Sequence, residues 1–184
     1  MTRRGYFAAG GGLLLAAVVV AIVLVTTLGS GAHARKASSS APLAASFSNP
    51  ALRLTGSAAL GWMFLRGPRF EELRSPDATA VIFIYSPGRS LTASQLVATG
   101  LASISAKYTG VSIAPGGESS LGGLPAKSRV VSALNAHRVP VRILVIGARG
   151  AHLNYLLEGV TAERGPAQDL AGVQQIVQGL RLSG

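Results

Sequence analysis

Cysteine is absent from the 184 residues, which excludes a disulfide scaffold, thiol catalysis, Cys-based zinc sites and an acylated N-terminal cysteine. Charge is scarce as well. Asp, Glu, Lys and Arg together make up 13% of the chain, against roughly 25% in an average soluble domain. Acids are the scarcer sign, 7 against 17 bases, for a formal charge of +10. Aromatic residues are 5%, too few to interleave a basic surface with the stacking platforms that single-stranded nucleic acid requires. The length suits one ordinary domain with appendages, since ~100–200 residues per domain is usual. A two-domain enzyme does not fit.

What is present in quantity is uninterrupted apolar sequence at the N-terminus. Phe7 to Leu28 is a run of 22 residues without a charge, and a helix rising ~1.5 Å per residue over that length crosses the ~30 Å hydrocarbon core. Arg3 and Arg4 precede the run; the positive-inside tendency holds them in the cytoplasm and sends everything after Ser30 outside. Arg35 and Lys36 on the far side pull the other way. Ala32-His33-Ala34 also fits a signal peptidase site, so the alternative to an anchor over residues 1–29 is a secreted chain cut after Ala34. The stretch Leu13 to Leu28, 16 residues without glycine, exceeds the ~7–15 residues of a signal h-region and favours the anchor. Small-xxx-small pairs such as Ala8/Gly12 and Ala17/Ala21 are too common to assign a helix-pairing face.

Residues 30–50, SGAHARKASSSAPLAASFSNP, hold too few large apolar groups to offset the entropy of ordering, and read as a flexible linker. Residues 51–184 carry all seven acids and 13 of the bases, a net +6. Within this part the β-like runs are Trp62 to Leu65, Arg69 to Leu73 and Thr79 to Tyr85, the last continuous and β-branched enough for a buried strand. Gly67-Pro68 and Ser75-Pro76-Asp77 supply turns between them. The period then changes: Val97, Leu101, Ile104 and Tyr108 recur at helical spacing behind a capping box at Thr92-Ala93-Ser94-Gln95, predicting a helix over 92–108 closed by Gly110. Val111 to Ile113 reads as a strand before the Gly-rich stretch Pro115 to Pro125. Three more strands are expected over Ser128 to Leu134, Val139 to Ile146 and His152 to Val160. The alternation Val139, Val141, Ile143, Val145, with Arg142 on the opposite face, predicts an antiparallel strand buried on one side. A last helix over 166–181 starts at Pro166, with Asp169 near its positive end and Leu170, Val173, Val177 and Leu180 as its stripe. The order predicts an α+β fold, an antiparallel sheet packed with two helices.

Gly61-Trp62, the Ser75-Pro76-Asp77 turn, the helix ending Lys107-Tyr108, the Leu121-Gly122-Gly123-Leu124-Pro125-Ala126 entry to a strand and a last strand containing Tyr155 together resemble the PsbP-like fold over residues 51–184. That group includes the photosystem II extrinsic PsbP proteins and LpqN-type bacterial lipoproteins. The resemblance implies an α/β/α sandwich and a non-enzymatic accessory or binding domain at a membrane surface. The chain departs from the lipoproteins in having no cysteine for acylation, so a peptide anchor would take the place of the lipid. No ligand motif here matches the metal sites of some PsbP proteins, and no cofactor is expected.

Chemistry-bearing patterns are weak. Gly117 to Ser128, GESSLGGLPAKS, lacks a P-loop lysine directly after its second glycine, where Gly123 stands instead; it reads as a turn before a strand, or else a small anion-binding nest. His137 and His152 flank one strand near opposite ends, too far apart for a shared metal. Serines are many and Glu158 and Asp169 could complete a triad, but no GxSxG elbow marks a nucleophile. Glu71 and Glu72 point to opposite faces of a strand and read as solvated surface, with Arg69 or Arg74 as partners. The arginines look scattered and read first as a surface that keeps the domain soluble; as a binding feature, basic excess outside the cell suits anionic lipid or envelope polymer better than nucleic acid. The expected protein is thus a membrane-anchored, extracytoplasmic, non-enzymatic accessory or binding protein with an envelope protein, anionic lipid or polymer as partner. The alternatives are a ligand-binding sensor or capture protein and a serine-type envelope hydrolase.

Overall fold

The structure, a computed structural model, describes residues 44–87 and 90–183. The expected membrane segment and residues 30–43 of the expected linker lie outside the described residues; among those described, no helix is long and apolar enough to cross a membrane. The chain runs β1 (Ala44–Asn49), a 3-10 turn (Pro50–Leu52), β2 (Leu54–Ala59), β3 (Met63–Gly67), β4 (Phe70–Arg74) and β5 (Ala80–Tyr85), then α1 (Ala93–Lys107) and β6 (Thr109–Ile113). It continues with β7 (Gly117–Leu121), β8 (Leu124–Leu134), β9 (Pro140–Arg149), β10 (Asn154–Ala162), α2 (Ala167–Gly179) and β11 (Arg181–Leu182).

An eight-stranded antiparallel sheet has the order β3-β4-β5-β10-β9-β8-β6, with β7 on β8. α1 covers one face through Val97, Ile104, Ile143, Val145 and Leu156. α2 and a three-stranded sheet, β1-β2-β11, cover the other through Leu54, Ile82, Tyr155, Val173 and Leu180. The α+β, antiparallel, two-helix expectation holds.

Local chemistry explains most elements. Ile82 and Ile84 are fully buried and Val81 nearly so, as a continuous β-branched run predicts for a strand covered on both faces. The capping box at the start of α1 is present: Thr92 Oγ1 accepts from the Gln95 amide at 3.2 Å, and Gln95 Oε1 accepts from the Thr92 amide at 2.8 Å. α1 sits low on β9 because two glycines face each other's elements. A Cβ at Gly147 would lie 2.6 Å from the Ala93 carbonyl oxygen, and one at Gly100 would lie 2.9 Å from Val145 Cγ1.

Four expectations need correction. A strand runs from Ala44, inside the stretch read as linker: β1 pairs residue for residue with β2, which went unread. Apart from Phe47, Asn49 and Leu54 these strands are built of Ala, Ser, Thr and Gly and carry little local apolar signal; Phe47, laid over Gly56 and 5.3 Å from Phe64 between ring centres, ties β1 to the core. β9 is buried on one side only at its start, since Ile146 and Ala148 are covered on the face opposite α1. On α2, Leu170 is 41% exposed, and Ile176 takes its place in the buried stripe. Glu71 and Glu72 do point to opposite faces, but both are buried rather than solvated. Glu71 accepts from Arg66 and from Asn49 Nδ2, so fixed donors replace its lost water; Glu72 accepts from Arg74 through Oε1, while its Oε2 is buried without a partner.

Candidate functional site

In β8 alternate residues share a face. Lys127 is opposite Gly147 and Arg129 is opposite Val145, the residue on which Gly100 of α1 rests. Both basic side chains therefore rise on the α1 side of the sheet. Arg149, two residues beyond Gly147, joins them on the same face. The close approach at Gly100 and Gly147 sets the flank of α1 beside the β7–β8 hairpin, which turns at Gly122 and Gly123 with φ of +59° and +90°. Two consecutive positive φ values are what a tight two-residue hairpin turn demands, and glycine supplies them without strain.

Between helix and hairpin run two adjoining open cavities of about 300 and 360 Å³, both bordered by Lys127. Val97, Ala98, Leu101 and Arg129 line the first. Thr92, Ala93, Pro125 and Arg149, at the N-terminal end of α1, line the second. Gly116 has no room for a side chain: a Cβ there would fall 2.1 Å from the Ser128 carbonyl oxygen, a backbone atom, and 1.8 Å from Arg129 Nη1. Arg129 Nη1 also donates to the Ser128 carbonyl at 3.1 Å. Lys127 pairs with Glu118, whose side chain is 80% exposed, so water screens that pair strongly. Arg149 has no ion-pair partner among the described residues. The groove thus offers three cations against one weakly held acid, beside a helix N-terminus that adds positive potential. It can bind an anion.

The other candidates fall elsewhere. The Gly-rich stretch is partly strand, and Gly122-Gly123 is its hairpin turn. His137 and His152 are exposed at opposite ends of β9. Asp169 accepts from Thr79, and Asp77 accepts from Ser75 Oγ at 2.7 Å and the Thr79 amide at 3.1 Å. Burial and the neighbouring Asp77 push Asp169 above the usual carboxylate range; on Asp77 burial is outweighed by its donors, which hold it low. Glu158, on β10 between Phe83 and Val145, is raised by burial, with Lys107 drawing it back, and its Oε1 is buried without a partner. Burial raises Tyr85 and Tyr108, and the charge of Glu158 adds to both shifts. Neither Glu158 nor Asp169 is hydrogen-bonded to a histidine, so the triad is not assembled from them.

No protein-family model matches the sequence, and no curated protein does. Solved structures match the fold. Cyanobacterial PsbP (CyanoP) from Synechocystis superposes with a TM-score of 0.57 at 12% identity, over 84% of this chain and 98% of its own. The fold is PsbP-like. The Ran-binding protein Mog1p of Saccharomyces cerevisiae follows at a TM-score of 0.53 and 11% identity, over 77% of this chain and 96% of its own. LpqN of Mycobacterium tuberculosis, described as involved in cell envelope biogenesis, superposes at 0.48 and 10% identity, over 70% of this chain and 82% of its own. Two of the residues that carried the resemblance are structural anchors of the PsbP-like domain: Trp62 is buried ahead of β3, and Tyr155 donates its hydroxyl to the Leu52 carbonyl at 3.0 Å. The basic groove of the domain went unread, because Arg149 reaches the other two only through strand pairing. The spacing of Lys127 and Arg129, two apart in a strand, was the available signal.

Proposed function

We propose that the chain is a membrane-anchored, extracytoplasmic accessory protein of the cell envelope, without catalysis of its own, whose PsbP-like domain captures an anionic partner in the groove between α1 and the β7–β8 hairpin. One observation carries the reading: Lys127, Arg129 and Arg149 converge on the same groove although the domain's other bases are spread out. The 22 charge-free residues Phe7 to Leu28 support the anchor. The fold is compatible with a binding role, since Mog1p is a Ran-binding protein of the same fold.

The full chain with a C-terminal tag tests the placement. The tag is expected in a membrane fraction that resists carbonate extraction and to be cleaved by protease added to cells whose outer layers have been opened. A tag in the medium with a new N-terminus at Arg35 replaces the anchor with a cleaved signal. A tag in the cytosol overturns the reading.

A further inference from the structure

One edge of the eight-stranded sheet is open and apolar. Of the six large apolar side chains exposed among the described residues, Leu60, Met63, Phe64 and Leu65 fall within six consecutive positions, a contiguous patch rather than the scatter of an ordinary surface. Three of them lie on β3, the terminal strand, and no described strand pairs with its outer edge. The neighbouring strands fix which of its backbone groups are free. The Ser75 amide donates to the Ala80 carbonyl at 2.9 Å and the Ser86 amide to the Arg69 carbonyl at 3.0 Å. Odd-numbered residues of β4 therefore bond to β5 and even-numbered ones to β3. Phe70, Glu72 and Arg74 hold Gly67, Leu65 and Met63, which leaves the N–H and C=O groups of Phe64 and Arg66 pointing outward. Nothing guards this edge: β3 has no lysine, proline or bulge, and its one charge, Arg66, is turned onto Glu71.

We propose that β3 pairs antiparallel with β3 of a second copy of this chain, about a twofold axis through Leu65, joining two sheets into one. In that register Phe64 stands opposite the partner's Arg66, and four hydrogen bonds satisfy all the outward groups of both strands. Centred on Arg66 instead, Phe64 would meet the partner's Pro68, which has no N–H to give, and two guanidinium groups would stand opposed. Centred on Phe64, Arg66 would meet the partner's Trp62, and the Trp62 amide already donates to the Ala59 carbonyl at 3.4 Å. A bilayer surface would cover the apolar side chains but offer the backbone groups no partners in strand register. The twofold axis is normal to the sheet, so β1 of both copies lies on one side and both chains enter from that side, as two anchors in one membrane require. The anion groove, on β8, lies at the other end of the sheet and takes no part.

The chain has no cysteine, so single thiols test the register in the full chain in non-ionic detergent. Opposed residues of a non-hydrogen-bonded pair have Cα atoms ~4.5 Å apart, within the ~4.4–6.8 Å a disulfide spans. Leu65→Cys should therefore form a reducible dimer on mild oxidation. Met63→Cys should form several times less, because the two copies of that position stand four residues, ~13 Å, apart. Leu65→Lys, at an exposed position opposite Glu72, sets two ammonium groups against each other; it should turn the wild-type dimer into a monomer in sedimentation velocity without lowering Tm. Equal cross-linking at both positions or a monomeric wild type overturns the proposal. A dimer that survives Leu65→Lys, as pairing of the N-terminal runs alone would give, overturns it too. So does a Leu65→Cys adduct in intact cells with a different protein in place of the second copy.

Discussion

Arg66 and Glu71 make a prediction whose sign opposes the usual rule that the exposed partner matters less. Glu71 is fully buried on the α2 side of the sheet, while the Arg66 side chain is 47% exposed. The guanidinium reaches the carboxylate through Nε at 3.0 Å and Nη2 at 3.1 Å, and Asn49 Nδ2 adds a third contact at 2.9 Å. Arg66→Met therefore strands a buried carboxylate with a single neutral donor. Breaking a buried pair this way costs about 3–5 kcal/mol, and solvent near Arg66 argues for the lower end, about 3. Glu71→Gln strands no charge, only one amide NH2 group that finds donors where it needs an acceptor. Arg66 turns to water, and Asn49 keeps the Gly67 and Phe70 carbonyls at 3.2 and 3.1 Å. Its expected cost is about 1–2 kcal/mol. The double variant should match Glu71→Gln alone, a coupling of about 3 kcal/mol, the whole cost of Arg66→Met. Urea unfolding of the full chain in non-ionic detergent, followed by the fluorescence of buried Trp62, reads all four proteins, and Arg66→Met should also lower Tm by roughly 10 °C. If Arg66→Met proves no more costly than Glu71→Gln, the buried carboxylate does not depend on its guanidinium and the reasoning fails.

Gly147→Ala should lift α1 from β9, because its Cβ would fall 2.6 Å from the Ala93 carbonyl; an overpacking cost of about 1–3 kcal/mol is expected in thermal melts, with weaker anion binding in the groove. An unchanged Tm would refute the close approach. Tyr155→Phe removes the hydroxyl that links β10 to the turn after β1 and should cost about 1–2 kcal/mol in urea; a neutral result would mean the Leu52 carbonyl finds another donor. Glu158 is raised in the native state, so the folded chain holds a proton that the unfolded chain releases first. Stability is therefore lost as pH climbs from the ordinary glutamate value through the raised one. Glu158→Gln should match the wild type near pH 4 and exceed it at pH 8, and the opposite trend would show that the carboxylate is stabilised where it lies. Asp169, raised as well, leaves a residual slope of the same sign in both proteins.

Some of this protein was legible in the chain by itself. The change of period after Tyr85, the capping box at Thr92 and the β-branched run before them are local patterns, and local patterns are what dihedral preference and side-chain periodicity encode. They sufficed for the α+β class and for a resemblance that the fold bears out. Tertiary structure alone decided three things. It made a second sheet from Ala44–Asn49 and Leu54–Ala59, whose small residues form strands only when paired and covered by α2. It buried Glu71 and Glu72, because burial of a charge depends on donors that Arg66, Asn49 and Arg74 bring to it, not on the charge itself. It gathered Lys127, Arg129 and Arg149 into one groove: strand spacing tells which face a side chain takes, but the register of β8 on β9 and the glycines that seat α1 decide what stands next to it.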